Sequence, residues 1–337
     1  MKMARRLLGM EPTMKRTIAL FVIAFAVLFA VMPQANADDR LRVNVFPGPQ
    51  HVALYVAQNK GLFAKRGLTV EIQFTPNAKA QRDALADGSI EIAQSAVDNA
   101  VAMVEDAKKD VIIVAGGGNG MLNLFVRPEI KSYDAIRGKS VVVDSPDTAY
   151  ALVLYKMLAL KGVKKGDYGV FQGGDCMRRF NGIRNDPNNV AVLLNFPCNI
   201  LAEREGYPNW GSAADALGAY QADGIWVMRE WALQHPDTLV KYIEAIIEGL
   251  RWASRPENKS ETVAIVAKAL KVAPDVAEKS VEGAVGPHGG LDKDARIDMA
   301  GFRTLLSLRA EMMGGSGLKP EKYLDLSYYD RALAGMK

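Results

Sequence analysis

The sequence contains only two cysteines and three histidines among its 337 residues. Structural zinc sites and similar metal centres draw on about four such ligands held close together. The histidines His51, His235 and His288 are far apart along the chain. We therefore predict no metal site and no other cofactor.

The sequence also lacks an excess of charge of one sign once its first 37 residues are set aside. The chain has 42 basic and 38 acidic residues. Five of the basic residues and one of the acidic residues lie in 1–37, which leaves 37 of each sign in the remainder. A protein without a net positive field is a poor partner for nucleic acid, so we do not expect it to bind one.

A single long apolar run lies near the start of the chain. Ile18–Met32 has fifteen residues without a polar side chain, whereas about 20 are needed to cross a bilayer. Lys15 and Arg16 precede the run, and the small-residue site Ala-Asn-Ala at 35–37 follows it. These features predict a cleavable signal peptide over 1–37. An uncleaved anchor is the alternative.

We expect the mature protein to be exported to the periplasm. No cysteine directly follows the apolar run, so a bacterial lipid anchor is not predicted. Met14 is an alternative to Met1 as the start of the signal. In an oxidising compartment Cys176 and Cys198 can form a disulfide; two buried free thiols are the alternative.

The rest of the sequence alternates short apolar runs of strand type with helical patterns of 9–13 residues. This alternation predicts an α/β fold with mainly parallel sheets. The predicted strands are 41–46, 68–74, 90–93, 111–115, 122–126, 140–143, 168–171, 190–194 and 225–228. The predicted helices are 51–63, 78–86, 97–105, 145–159, 177–183, 200–205, 237–252, 261–270, 274–284 and 295–313.

The alternation restarts after a glycine-rich segment at 116–120 and gives way to helices alone beyond 228. We predict two α/β lobes joined by two crossings, with a helical C-terminal tail. Lobe I takes 38–122 and 229–337, and lobe II takes 123–228. Ligands of open α/β sheets bind outside the carboxyl ends of the strands, so facing lobes predict a hinged binding protein. The glycines serve either as a hinge or as ligand contacts.

Three segments carry a family resemblance. HVALYVAQNKGLFAKRGLTVEI at 51–72, VRPEIKSYDAIRGKSV at 126–141 and WASRPENK at 252–259 resemble the nitrate/sulfonate/taurine-type periplasmic substrate-binding proteins of ABC transporters. That group includes binders of thiamine pyrimidine precursors. The resemblance implies a type II periplasmic-binding-protein fold, a small-molecule ligand, and an ABC permease with its ATPase as partners. We expect a monomer. A cysteine pair would be a feature of a subgroup.

Two other functions remain open. The fold resembles that of pyrimidine-precursor synthases, which carry a cysteine-rich segment and an iron-binding histidine. This chain has no such segment, no Gly-x-Ser-x-Gly elbow and no His-Glu-x-x-His motif, so we predict that it is not an enzyme. A sensor that passes a ligand signal to a receptor would have the same sequence features.

Ligand contacts are expected where strands end and helices begin. The helix start near Ser145 also offers free N–H groups that suit an anion. We expect a small organic ligand with an anionic or heteroaromatic group. The predicted contacts are Phe46, Gln50, His51, Gln94, Ser95, Asp98, Asn119, Ser145, Asp147, Thr148, Tyr150, Asp175, Asn195, Pro197 and Trp226.

Several of these residues also have a purely structural explanation. His51 can cap its helix, and Asp147 and Thr148 suit a helix start whatever its function. Phe46, Tyr150 and Trp226 can belong to the core. The pair Arg178-Arg179 is interpreted as a solvated helix face, with contact to an anion as the alternative. Cys176 and Cys198 follow two strands predicted to be neighbours, which would bring their α-carbons within the 5–6 Å of a disulfide.

Overall fold

Strands and helices alternate from Asp39 onward in the computed structural model, which describes residues 39–314 and 317–336. The predicted signal peptide at 1–37 lies outside the described residues. The strands are β1 (Asp39–Val45), β2 (Leu68–Phe74), β3 (Ile92–Ala96), β4 (Val111–Gly116), β5 (Asn123–Val126), β6 (Ser140–Val143), β7 (Gly169–Gln172), β8 (Asn189–Leu194), β9 (Asn209–Ser212) and β10 (Asp223–Met228).

The helices are interspersed among the strands along the chain up to β10, and the described segment after β10 contains helices only. They are α1 (Val52–Asn59), α2 (Ala78–Ala86), α3 (Asp98–Glu105), α4 (Ala149–Ala159), α5 (Cys176–Asn185), α6 (Cys198–Arg204), α7 (Ala213–Leu217), α8 (Arg229–Gln234), α9 (Pro236–Ala253), α10 (Lys259–Leu270), α11 (Pro274–Val285), α12 (Met299–Met313) and α13 (Ser327–Gly335). None of the helices described here combines the length and hydropathy needed to span a bilayer.

The strands form two five-stranded sheets. The first sheet has the order β2-β1-β3-β10-β4, and the second has the order β7-β6-β8-β5-β9. β1 pairs in parallel with β2 and β3, and β6 pairs in parallel with β7 and β8. β10 and β5 run antiparallel to both of their neighbours. The α/β class and the helical C-terminal segment are confirmed, and each sheet is mixed.

The chain passes between the sheets twice, from β4 to β5 and from β9 to β10. The predicted range of lobe II, 123–228, ends one strand too late, because Asp223–Met228 pairs with β3 and β4 in the first sheet. Its apolar residues predict a strand but do not specify which sheet receives it. β9 and the short helix α7, both missed by the prediction, lie just before this return.

The glycine-rich segment at 116–120 is packed closely against residues further along the chain. A Cβ on Gly116 would lie 2.0 Å from the carbonyl oxygen of Arg296, and one on Gly118 would lie 2.3 Å from that of Gly290. No side chain can be accommodated at such distances. Close backbone packing therefore accounts for two of these glycines.

Apolar side chains pack on both faces of the first sheet. On one face, Val43 of β1, Leu54 of α1 and Ile246 of α9 belong to one buried cluster. A second buried cluster continues from the first sheet into the second and includes Ile113 of β4 and Leu152 of α4. Helix α12 contributes to this second cluster and contacts both α3 and α4. The two sheets therefore share part of their core.

Candidate functional site

A cavity lies between the two sheets. Both sheets contribute side chains to it from the edge where their parallel strands end, which is the ligand-binding edge of open α/β sheets. The lining residues are Phe46, Pro47, Gln50, Ser95, Ala96, Asn99, Asp144, Thr148, Ala149, Tyr150, Gly174, Asp175, Cys176, Arg179, Asn195 and Asp223.

The first sheet supplies the cavity wall that contains Gln50, Ser95 and Asp223. Gln50 follows β1 in a short 3-10 turn, and Ser95 lies near the end of β3. Asp223 is the first residue of β10 and pairs with Ala96 at the last position of β3. Because β10 is antiparallel to β3, its beginning lies at the same edge as the end of β3.

The second sheet supplies the opposite wall. Asp144 follows β6, Asp175 follows β7 and Asn195 follows β8. Asp175 caps α5, because its carboxylate accepts a hydrogen bond from the backbone N–H of Arg178 at 3.0 Å. The hydroxyl of Thr148 donates to the carboxylate of Asp144. These local hydrogen bonds hold the helix starts in place around the cavity.

Asp223 is the most unusual group in the cavity. Its carboxyl is 4% exposed, and Oδ2 has no hydrogen-bond partner within the described part of the chain. Oδ1 accepts only a long hydrogen bond from the hydroxyl of Tyr150, at 3.5 Å. Burial raises the pKa of Asp223 to about 7, because a charged carboxylate loses its hydration there. Asp223 is therefore poised to change its charge near neutral pH.

Arg179 is the buried cation of the cavity. Its Nη1 donates to the carbonyl of Leu193 at 2.7 Å, and its Nη2 donates to Oδ1 of Asn195 at 3.3 Å. The guanidinium carbon lies 5.5 Å from the centre of the Tyr150 ring, within the range of a cation–π contact. Burial raises the pKa of Asp144, and the charge of Arg179 partly offsets that effect.

Two further polar groups in the cavity are already engaged, and a third is open. The Ser95 hydroxyl donates to the amide oxygen of Gln81, and Oδ1 of Asn99 accepts from Arg82 at 3.2 Å. The amide oxygen Oε1 of Gln50 is buried and has no partner among residues 39–314 and 317–336. A ligand can therefore gain a hydrogen bond at Gln50.

A disulfide joins Cys176, at the start of α5, to Cys198, at the start of α6, with 6.1 Å between the α-carbons. The two strands that precede these helices are not neighbours, because β6 lies between β7 and β8. That premise of the prediction was wrong. The cysteines meet because α5 and α6 contact each other. Cys176 lines the cavity, so the disulfide supports the cavity wall.

Seven of the predicted ligand contacts line the cavity and eight lie elsewhere. Those that line it are Phe46, Gln50, Ser95, Thr148, Tyr150, Asp175 and Asn195. Those that lie elsewhere are His51, Gln94, Asp98, Asn119, Ser145, Asp147, Pro197 and Trp226.

Three of the eight are committed to partners in or beside the first sheet. Gln94 accepts a hydrogen bond from the hydroxyl of Tyr242 at 2.9 Å. Asp98 forms a buried ion pair with Arg309. The side chain of Trp226 is fully buried in the core. None of the three lines the cavity, and their roles as ligand contacts stay predictions.

The positions of four others are explained by local structure. The side chain of Asn119 accepts from the backbone N–H of Met121 at 3.0 Å. Ser145 accepts from Gln172 at 3.0 Å, and Pro197 occupies the cap position of α6 after a cis peptide bond. Asp147 forms an ion pair instead. None of the four lines the cavity, and their roles as ligand contacts also stay predictions.

Asp147 and His51 occupy contrasting environments. Asp147 is half-exposed and lies 3.6 Å from Arg82 of α2, on the first-sheet side of the cavity. His51 is fully buried, and neither imidazole nitrogen has a hydrogen-bond partner in the part of the chain that the structure describes. The His51 side chain also makes no capping hydrogen bond to the described residues of α1, although it occupies the cap position. Burial lowers the pKa of His51 to about 3, so the imidazole is neutral.

The prediction missed three charged residues of the cavity. Asp144 directly follows β6, so the strand-end rule reaches it, but the predicted loop began one residue later. Arg179 lies on the buried face of α5 with Ile183, a spacing of four residues that signals one helix face. Asp223 depended on the antiparallel insertion of β10, which the sequence pattern does not reveal.

Pairs of α/β sheets with a cavity between their strand ends define the fold of periplasmic binding proteins. The family model described as NMT1/THI5 like matches residues 48–259, more than half of the chain. The chain therefore belongs to the NMT1/THI5-like family, which confirms the resemblance. None of the curated proteins matches the chain with significance.

Several solved structures with the same fold can be superposed on most of this chain. The periplasmic nitrate-binding protein NrtA from Synechocystis PCC 6803 has a TM-score of 0.76 at 14% identity, over 88% of this chain and 89% of its own. A ligand-binding component of an ABC-type import system from Staphylococcus aureus, with zinc bound, has a TM-score of 0.73 at 15% identity, over 87% and 99%.

A third structure extends the same similarity. The periplasmic aliphatic sulphonate binding protein SsuA from Escherichia coli has a TM-score of 0.65 at 14% identity, over 84% of this chain and 91% of its own. The predicted type II periplasmic-binding-protein fold is confirmed by these similarities. Within residues 39–314 and 317–336, the structure has no cluster of three or more histidine, cysteine or acidic side chains placed to hold a metal ion.

Proposed function

We propose that the protein is the periplasmic solute-binding component of an ABC importer. It captures a small organic molecule between two lobes and delivers it to a membrane permease and its ATPase. The observation that carries the proposal is the cavity itself, which both sheets line from the ends of their parallel strands. Export through a cleavable signal peptide at 1–37 and a monomeric state are part of the same proposal.

Each lobe corresponds to one sheet with its helices. Lobe I contains the first sheet, including β10, and lobe II contains the second sheet. Ion pairs connect the lobes, among them Arg82 with Asp147, and Arg204 of α6 with Asp275 of α11. These contacts belong to a closed form that opens when they break. A ligand that touches both walls binds the closed form better and shifts the population toward it.

The energy required for such a shift is available from a few contacts. A change from 1:99 to 99:1 requires about 5.5 kcal/mol of differential binding. Hydrogen bonds to charged groups contribute about 1.5–3 kcal/mol each. Asp223 in one wall and Asp144 with Arg179 in the other can therefore supply most of that difference to a ligand that bridges them.

The same cavity argues for binding rather than catalysis. The Ser95 hydroxyl is occupied by Gln81, and Cys176 is oxidised in its disulfide. Among the described residues that line the cavity, none is a histidine. A nucleophile with an adjacent base, as acyl or group transfer requires, is not assembled from these side chains. We propose that the protein does not convert its ligand.

The proposal is tested by recovering the natural solute. Protein purified from the periplasm is denatured, and the released small molecules are identified by mass spectrometry. The solute should then bind stoichiometrically without turnover, and radiolabelled uptake into vesicles should require the protein, the permease and the ATPase. Chemical conversion of the solute, or unchanged uptake without the protein, would contradict the proposal.

A further inference from the structure

Two residues that line the cavity each carry a buried side-chain oxygen atom that accepts no hydrogen bond from the described residues. The two atoms are Oε1 of Gln50 and Oδ2 of Asp223, which have no partner within residues 39–314 and 317–336. We call these two atoms the open acceptors. Both residues line the cavity from the first-sheet side. A buried acceptor without a partner destabilises the protein, and more so when it is charged. A ligand with donors at these points relieves that destabilisation.

The cavity also contains more negative than positive groups. Three carboxyls line it, from Asp144, Asp175 and Asp223, against the single guanidinium of Arg179. Both terminal nitrogens of Arg179 already donate to protein oxygens. Its Nε is the one buried donor of the cavity that lacks a partner in the described chain. Negative charge and open acceptors therefore dominate what a ligand meets.

An anionic ligand would be placed unfavourably here. It would bring its charge next to three carboxyls and could not donate to the open acceptors. A cation reverses both effects, because its charge is attracted to the carboxyls and its N–H groups satisfy the open acceptors. The half-buried ring of Phe46 also lines the cavity, and an aromatic face attracts a cation.

We propose that the ligand is a small organic cation, an amine, amidine or guanidine, whose N–H groups donate to Asp223 and Gln50. The inference rests on the function proposed above and specifies the chemical class of its solute. It replaces the anionic group expected from the helix start near Ser145. That helix start has no side-chain cap, so the choice between the two charges rests on the three carboxyls that line the cavity.

The proposal has a consequence for protons. The titratable groups that interact with Asp223 are Tyr150 and Tyr220, and Asp144 and Arg179 lie in the same cavity. Burial keeps part of Asp223 protonated at neutral pH, since its pKa is about 7. A bound cation favours the ionised form, so binding below pH 7 releases a proton. Affinity for a cation should therefore rise as the pH increases from 6 to 8.

The test compares probes that differ in charge but not in shape. Guanidinium is paired with nitrate, since both are planar and three-fold, and benzamidinium is paired with benzoate. Each probe is added at millimolar concentration to the full-length mature protein after removal of any bound solute by partial unfolding and refolding. Thermal unfolding and calorimetry are recorded at pH 6 and pH 8. The cations should raise Tm, more at pH 8, and the anions should not.

Two variants and one control locate the effect. Asp223→Asn preserves the shape of the side chain and removes its charge, and it should weaken cation binding at least tenfold and abolish the pH dependence. Gln50→Leu should weaken binding several-fold. Asp83→Asn on the exposed face of α2 should leave binding unchanged. Circular dichroism confirms that each variant is folded, and the wild-type comparison of the probe pairs requires no variant.

The outcomes separate this inference from the proposed function. Binding of nitrate or benzoate without the matched cation, or no response to either cation, overturns the cationic class. Cation binding that Asp223→Asn leaves intact overturns the assigned contact. An anionic or neutral solute recovered from the periplasm would also overturn the inference, while leaving the proposed importer function standing. Loss of that function would instead appear as turnover or as uptake that does not need the protein.

Discussion

Arg309 of α12 and Asp98 of α3 form an ion pair that is almost entirely shielded from solvent. Nη1 of Arg309 lies 2.9 Å from Oδ2 of Asp98, and the two side chains are 3% and 2% exposed. A second terminal nitrogen of Arg309 contacts the carboxylate of Asp106. Removal of one member of a buried pair leaves an uncompensated charge, which usually costs more than the pair itself contributes.

Arg309→Met should therefore lower the free energy of unfolding by about 3–5 kcal/mol. Urea denaturation at pH 7.5 measures the change. Lys156→Met is the matched control, because Lys156 also pairs with an acidic residue, Glu311 of α12, but in a more exposed setting. It should cost less than about 1 kcal/mol. Equal losses in the two variants would show that burial of the Arg309 pair has no special effect.

Loss of the disulfide should destabilise the protein without preventing folding. Cys176 and Cys198 are separated by 22 positions, and the chain-entropy description assigns about 3 kcal/mol to a loop of that size. The double variant Cys176→Ser/Cys198→Ser should lose about this amount of unfolding free energy. Wild-type protein unfolded in the presence of a thiol reductant should match the double variant. Unchanged stability in both would contradict the prediction.

His51 should make the protein sensitive to acid. In the unfolded chain its imidazole takes up a proton near pH 6.5, whereas the buried imidazole stays neutral down to about pH 3. Protonation therefore favours the unfolded chain, and stability falls as the pH drops from 6.5 toward 3. His51→Leu should raise the free energy of unfolding at pH 7 by about 1–2 kcal/mol, because it removes buried polar atoms without partners. It should also flatten the acid dependence.

The control for that prediction is the exposed residue His288. His288→Leu should leave the slope of stability between pH 6.5 and pH 4.5 as it is in the wild type. Chemical denaturation at half-unit pH intervals gives both slopes. An identical slope for His51→Leu and the wild type would contradict the assignment of a neutral buried imidazole.

The ion pair between Arg82 and Asp147 should favour the closed form. Asp147 is half-exposed and lies 3.6 Å from Arg82, so its contribution is below about 1 kcal/mol. Asp147→Asn should weaken binding of the recovered solute up to about fivefold and increase the radius of gyration of the free protein. Calorimetry and small-angle scattering measure these changes. Asp83→Asn, in the exposed pair with Lys79 within α2, should change neither quantity.

The sequence predicted the order of strands and helices along the chain better than it predicted which strands pair in each sheet. Strand residues such as Val141–Val143 and Val190–Leu194 are short continuous apolar runs of β-branched and aliphatic residues, which are typical of buried strands. The membership of β10 in the first sheet depends on a pairing between residues more than a hundred positions apart, such as Ile225 with Ala115. A local pattern does not contain that pairing.

The candidate site shows the same limit. Thr148, Asp175 and Asn195 follow from the rule that ligands bind at strand ends, and they line the cavity. The rule places residues at an edge but does not say which way their side chains point. Trp226 is fully buried and Asp98 turns to Arg309, whereas Arg179 turns inward from a segment interpreted as solvated. Side-chain direction depends on the packed helices.

Helix α12 connects the two sheets through its packing. It is packed against α3 of the first sheet and α4 of the second, and its contacts with both lie in one continuous buried cluster. We therefore expect the lobes of the proposed binding protein to rotate about this helix, because it packs against both sheets. Substitutions along α12 should consequently change how far the lobes are separated in the ligand-free protein. They should thereby change the solute concentration at which uptake begins, although α12 does not line the cavity.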